Sequence, residues 1–125
     1  MTTLVDTSVL IDVLRGVDAA RDVLLTAMGR TRLRASEITR LEVLAGMRRD
    51  EEDATRSLLG TVHWHPVDEA VAERAGMLGR RWLSPHRGID GADLAIAATA
   101  QLLDADLLTR NVRHFPMFTE LRQPY

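Results

Sequence analysis

The stretch Thr3-Leu4-Val5-Asp6-Thr7-Ser8-Val9-Leu10-Ile11-Asp12-Val13-Leu14 sets a short apolar run directly against residues of helical period, with small polar residues at the joint. Thr3 to Val5 has the length of a strand, Asp6, Thr7 and Ser8 are helix-capping types, and Val9, Leu10, Val13 and Leu14 recur at the spacing of one helix face. The stretch therefore predicts a strand ending at Val5, a helix that Gly16 stops, and an aspartate at the junction between them.

Further along, a second helix is expected from Asp18 to about Met28, and Arg32, Leu33, Arg34 and Ala35 alternate as a second strand. Ser36 is placed to cap a third helix from Glu37 to about Arg48, with Ile38, Leu41, Leu44 and Ala45 as its buried stripe. Asp50-Glu51-Glu52-Asp53 brings negative charge to the positive end of a fourth helix. Thr61 to Val67 reads as a strand, Asp68 to about Leu83 as a long amphipathic helix, and Ser84-Pro85-His86-Arg87-Gly88 as a loop. Ala92 to Leu103 is almost wholly apolar and is expected as a central, buried helix. Leu107 and Leu108 form a short strand leading to Thr109-Arg110-Asn111, and Phe118 to Leu121 is expected to add an edge strand. Strands alternating with helices, with no repeat, low-complexity tract or linker, predict an α/β fold with a mainly parallel sheet and one domain over residues 1–125.

Composition narrows the chemistry. The 125 residues are 46% hydrophobic, ample for one core, and include no Cys, which removes disulfides and thiolate metal sites. Any bound metal must therefore use oxygen or imidazole ligands, which favours hard cations. The formal charge of −2 argues against a surface coated in positive charge, so a nucleic-acid site has to be local. All sixteen basic residues are Arg, the side chain that best matches phosphate geometry, although genome composition also favours Arg. Neither a leader-like N-terminus nor an apolar run near the ~20 residues of a membrane span is present, and a soluble, cytoplasmic protein is expected.

Three carboxylates stand out. Glu42 shares a helix face with Ile38 and Ala45, and a buried carboxylate requires either a cation or an arginine partner such as Arg40, Arg48 or Arg49. Asp93 opens the most apolar helix on the face of Ile96, Ala97 and Ala100, where it suits either metal binding or a capping box with Asp90. Asp6 reads equally as a ligand or as the cap of the first helix. In a parallel α/β sheet the strand C-termini share the edge where ligands bind, and Asp6 and Asp93 both belong to that edge. Carboxylates gathered there repel one another unless a divalent cation neutralises them, and magnesium suits a few carboxylates completed by water and substrate phosphate.

Asn111 is expected at the same edge, to orient a water or a ligand carboxylate. Thr7 and Ser8 offer hydroxyls to phosphate or finish the first turn, and Arg87, Arg110 and Arg113 are placed to hold an RNA backbone. His63 and His65 share a strand face but lack a third zinc ligand. Trp64 and Trp82 read as packing or interface residues.

With these residues in view, the chain resembles the PIN-domain ribonucleases, and specifically the VapC-type toxins of bacterial toxin–antitoxin pairs. Leu4-Val5-Asp6-Thr7-Ser8-Val9-Leu10-Ile11 is similar to the family's first motif, whose aspartate binds metal. Glu42 within Thr39-Arg40-Leu41-Glu42-Val43-Leu44-Ala45-Gly46 matches the second acidic residue. Asp93 within Asp93-Leu94-Ala95-Ile96-Ala97-Ala98-Thr99-Ala100 matches the third, and Leu108-Thr109-Arg110-Asn111-Val112-Arg113-His114-Phe115 is similar to the closing motif.

The resemblance implies a PIN-like three-layer α/β/α sandwich with a mainly parallel central sheet. It also implies a magnesium-dependent endoribonuclease, with manganese as the alternative ion, in which Asp6 and Asp93 bind the metal and Glu42 acts on it through water. Many members carry a fourth aspartate in the closing region. Here Asn111 stands in that region and His114 precedes Phe115, which leaves Asn111 or Asp90 as the fourth site residue. A cognate VapB-type antitoxin, an RNA substrate and a homodimer are further implications. A haloacid-dehalogenase-like phosphatase fits poorly, because it needs a second aspartate where Ser8 stands. A PIN scaffold that binds RNA or protein without cleaving is the alternative.

Overall fold

Successive residues of the first strand face opposite sides of the sheet, and both sides are apolar: Leu4 belongs to one core and Val5 to another, each fully buried. A strand buried on both faces requires helices on both, which is the three-layer arrangement. The computed structural model describes residues 1–83 and 88–125. Its chain order is β1 (Thr2–Val5), α1 (Thr7–Leu14), α2 (Asp18–Arg30), β2 (Arg32–Ser36), α3 (Glu37–Ala45), α4 (Glu52–Leu59), β3 (His63–His65), α5 (Glu69–Trp82), α6 (Gly91–Leu103) and β4 (Asp106–Leu108). A short 3-10 turn, Val112–His114, follows.

The four strands lie in the order β3-β2-β1-β4 and every neighbouring pair is parallel, with Thr3 opposite both Leu33 and Asp106. On one face Val5, Leu33 and Ala35 pack with Val9 and Leu10 of α1, Leu24 of α2 and Leu59 of α4. On the other, Leu4 packs with Ile96, Ala97 and Ala100 of α6 and with Phe115. Helix α5 covers α6 through Val71, Ala95 and Ala98, so α6 is buried almost all round, as its apolar sequence requires. Helix α3 spans the two layers, since Val43 joins the first core while Ile38 packs against the second. Among the described residues no helix is long and apolar enough to cross a membrane.

Four expectations change. Helix α3 stops at Ala45 rather than near Arg48, because Met47 N–H turns back to Leu44 in an i→i+3 bond. Its inward line is Thr39 and Val43, whereas Leu41 is 59% exposed. Thr39 is fully buried because its hydroxyl lies 3.1 Å from that of Thr7, and this rotates the helix from its most hydrophobic face. The strand expected over Thr61 to Val67 shortens to His63–His65, ending where Pro66 has no N–H to offer the ladder. Phe118 to Leu121 forms no strand. Phe118 N–H bonds Phe115 O and Leu121 N–H bonds Phe118 O, so the chain turns and sends Met117, Phe118 and Leu121 onto the α6 core. The expected loop residues Ser84 to Arg87, including the proposed RNA contact Arg87, lie outside the described residues.

Candidate active site at the carboxyl edge of the sheet

With all strands parallel, the ends of β1, β2 and β4 open on one edge. Asp6 extends β1 by one residue, its N–H donating to Leu108 O at 2.8 Å. It stands at the N-cap of α1, yet its carboxylate makes no capping bond. Instead Oδ2 accepts from the hydroxyls of Thr109 at 2.6 Å and Ser8 at 2.8 Å. Each hydroxyl is itself fixed, Ser8 Oγ by Arg110 N–H at 3.0 Å and Thr109 Oγ1 by Asn111 N–H at 2.9 Å. The result is a carboxylate only 3% exposed, held by two neutral donors.

Glu42 reaches the same neighbourhood from α3. Its Oε1 accepts from the Thr7 hydroxyl at 2.6 Å, one residue from Asp6. Among the described residues no arginine takes it. Arg40 pairs with Glu37, Arg15 with Glu51, Arg56 with Glu52 and Arg110 with Asp12, so among the described residues the arginine ion pairs fall elsewhere.

Asp93 comes from the first turn of α6 and does take part in a capping box: Asp93 N–H donates to Asp90 Oδ1 at 2.9 Å and Asp90 N–H to Asp93 Oδ2 at 3.2 Å. The same Oδ2 lies 3.1 Å from His114 Nδ1. Burial pushes the Asp93 carboxyl up to about 6, and the charges of Asp90 and Asp6 add to the rise against the lowering effect of the Asp90 N–H and His114. Asp6 and Asp93 therefore feel one another.

The sequence-predicted residues meet this geometry unevenly. Asp6, Glu42 and Asp93 come from three elements to one edge, but among the described residues no three acidic or imidazole side chains converge on one point. Asn111 is exposed and contributes its backbone rather than its side chain. Arg110, expected on RNA, is drawn instead to Asp12 at 3.2 Å and lies over the Tyr125 ring at 4.8 Å, whereas Arg113 is exposed. His63 and His65 gain no third ligand among the described residues. Trp64 packs, donating to Leu59 O at 3.0 Å under the Arg40 guanidinium. Sequence reasoning assigned no site role to Thr109 or His114. The signal for Thr109 was its place directly after an apolar strand end, where a hydroxyl is either buried with a partner or exposed.

Comparison with known proteins gives the family and supports the fold. The PIN domain family profile matches residues 3–118. The chain belongs to the PIN-domain family. Ribonuclease VapC19 of Mycobacterium tuberculosis is 48% identical over 123 residues, covering 98% of each chain. Ribonuclease VapC10 of the same organism is 43% identical over 122 residues, 98% of this chain and 92% of the relative. Among solved structures, the toxin–antitoxin complex from Klebsiella pneumoniae matches with a TM-score of 0.84 and 31% identity over 98% of each chain. Within the PIN family the chain falls with the VapC ribonucleases, and it is a nuclease.

Proposed function

We propose that this PIN-domain protein is the toxin of a type II toxin–antitoxin pair and a magnesium- or manganese-dependent endoribonuclease that hydrolyses RNA phosphodiester bonds at the Asp6 edge. The observation that carries the reading is Asp6 itself: a nearly inaccessible carboxylate with no capping bond and, among the described residues, no cationic partner. Two hydroxyl donors leave part of a buried carboxylate's acceptor capacity unused, and a cation is the partner that would complete it. The donor set of Asp6, Asp93 and Glu42 is carboxylate oxygen throughout, which suits a hard divalent ion.

In this reading Asp6 and Asp93 hold the ion. A bound ion of this kind polarises the phosphodiester and lowers the pKa of a water to make the nucleophile. Ser8 and Thr109 fix the Asp6 carboxylate, Thr7 fixes Glu42 to orient the attacking water, and the Thr109–Asn111 turn closes the edge. Arg113 is exposed beside that turn and is available to phosphate. Cleavage of a mixed RNA pool should require divalent cation and disappear in EDTA. Asp6→Asn and Asp93→Asn should each reduce it by at least about a thousandfold, as expected when ligands of the reacting ion are lost. Full activity in either variant would remove the assignment.

The toxin role draws on the Klebsiella neighbour, which is a toxin–antitoxin complex, and on the VapC names of the relatives. A VapB-type antitoxin should co-purify with the chain and block cleavage, and the toxin should run as a homodimer in size exclusion. The ribonuclease names of the relatives speak against the alternative of a PIN scaffold that binds without cleaving.

A further inference from the structure

His114 is the residue that neither the cation reading nor the fold accounts for. It ends the 3-10 turn after β4, immediately before fully buried Phe115, so its backbone is anchored to the core while its side chain reaches the active edge. Its Nδ1 lies 3.1 Å from Asp93 Oδ2. Across the ring, Nε2 faces the bare backbone of Gly88: a Cβ there would stand 3.4 Å from it, tight enough that the missing side chain gives the imidazole its room. Gly88 adopts φ of +91°, a conformation that keeps larger residues away. On the other side, the capping box fixes the Asp93 carboxylate. The Nδ1–Oδ2 pair is thus positioned from both ends.

A spacing of 3.1 Å fits a hydrogen bond, and it equally fits two neighbouring ligands of one octahedral ion. Donors about 2.1 Å from a shared cation at right angles stand about 3 Å apart. We propose that His114 is a ligand of the divalent cation, its Nδ1 taking a coordination position beside Asp93 Oδ2, and that this nitrogen makes the site prefer manganese to magnesium. The proposal rests on the cation site of Asp6 and Asp93 described above. The chemistry sets the preference, because magnesium is bound through oxygen and transition ions accept imidazole more readily. To hold the ion, Nδ1 would offer its lone pair and Asp93 its carboxylate, which is the general requirement for imidazole and carboxylate ligands.

Electron spin-echo measurements on the full chain loaded with Mn2+ test this, since a directly bound imidazole imposes a nitrogen-14 modulation that oxygen ligands do not. The modulation should be present in the native protein and lost in His114→Ala and His114→Asp, both of which should still bind Mn2+. Competition between the two ions should show the Mn2+ preference falling about tenfold in His114→Asp, which returns an oxygen to the position. Circular dichroism melts of the two variants confirm that they fold. Mn2+ bound without nitrogen modulation, or modulation that persists in His114→Ala, overturns the role of His114 while leaving the carboxylate site intact. Mn2+ that fails to bind, or binds Asp93→Asn as well as the native chain, overturns both.

Discussion

At the scale of single residues, the site depends on hydroxyls as much as on carboxylates. Thr109 is 1% exposed and makes the shortest contact to Asp6, at 2.6 Å, while accepting the Asn111 N–H. Thr109→Val keeps the shape and removes the donor, leaving Asp6 with Ser8 alone. Cation affinity and cleavage should both fall about tenfold with little change in melting temperature, a pattern checked by titration calorimetry beside an RNA assay. Thr55 provides the contrasting case. Its hydroxyl is fully buried in α4 and has no hydrogen-bond partner among the described residues, so it bears a desolvation cost without compensation. Thr55→Val should stabilise the protein by about 1 kcal/mol in urea unfolding and leave cleavage unchanged. A destabilised variant would mean that the hydroxyl does find a partner.

At the scale of elements, the closing turn after β4 is held from the chain's C-terminal end. The Tyr125 hydroxyl donates to Asp12 Oδ2 at 2.7 Å, Arg110 reaches the same oxygen at 3.2 Å, and Gln123 Nε2 donates to Arg110 O at 2.8 Å. Burial, with Asp12 beside it, pushes the Tyr125 phenol up to about 12, so it remains a donor throughout the neutral range. Tyr125→Phe should cost about 1.5 kcal/mol, read as a lower urea midpoint, because a charge-assisted bond to Asp12 is lost. The strap also indicates what sequence could and could not reveal. The strand ending at Val5, the Ser36 cap and the Asp90–Asp93 capping box are local patterns, and all were legible. The inward face of α3 was not, since Thr39 is buried through its contact with the hydroxyl of Thr7, 32 positions away. In the same way acids set among apolar residues marked Asp6, Glu42 and Asp93, whereas Thr109 acquires its role only from Asp6, 103 positions distant. His114 likewise reads as an ordinary loop residue until Asp93 is seen beside it.

At the scale of the whole molecule, the sheet edge concentrates negative charge in a chain whose net charge is only −2. Asp93 reports that crowding, because its carboxyl is raised from 3.8 to about 6, chiefly by burial. A raised carboxyl means that the folded chain holds a proton which the unfolded chain has released. This stabilisation is complete below the unfolded value of 3.8 and is lost as pH rises through about 6. A divalent ion requires the opposite state, since it binds the carboxylate and competes with the proton. The melting temperature should therefore depend on pH with opposite sign in the two forms. Without cation, the contribution of Asp93 declines from about pH 4 to about pH 6. With cation at about a hundredfold excess over its dissociation constant, the gain should be small below about pH 6 and reach about 2.7 kcal/mol above it, on the order of 10 °C for a chain of this length. Asp93→Asn should flatten both trends at once, because it removes the proton site and the ligand together. A cation-induced rise of equal size at about pH 5 and about pH 8 would place the ion away from Asp93.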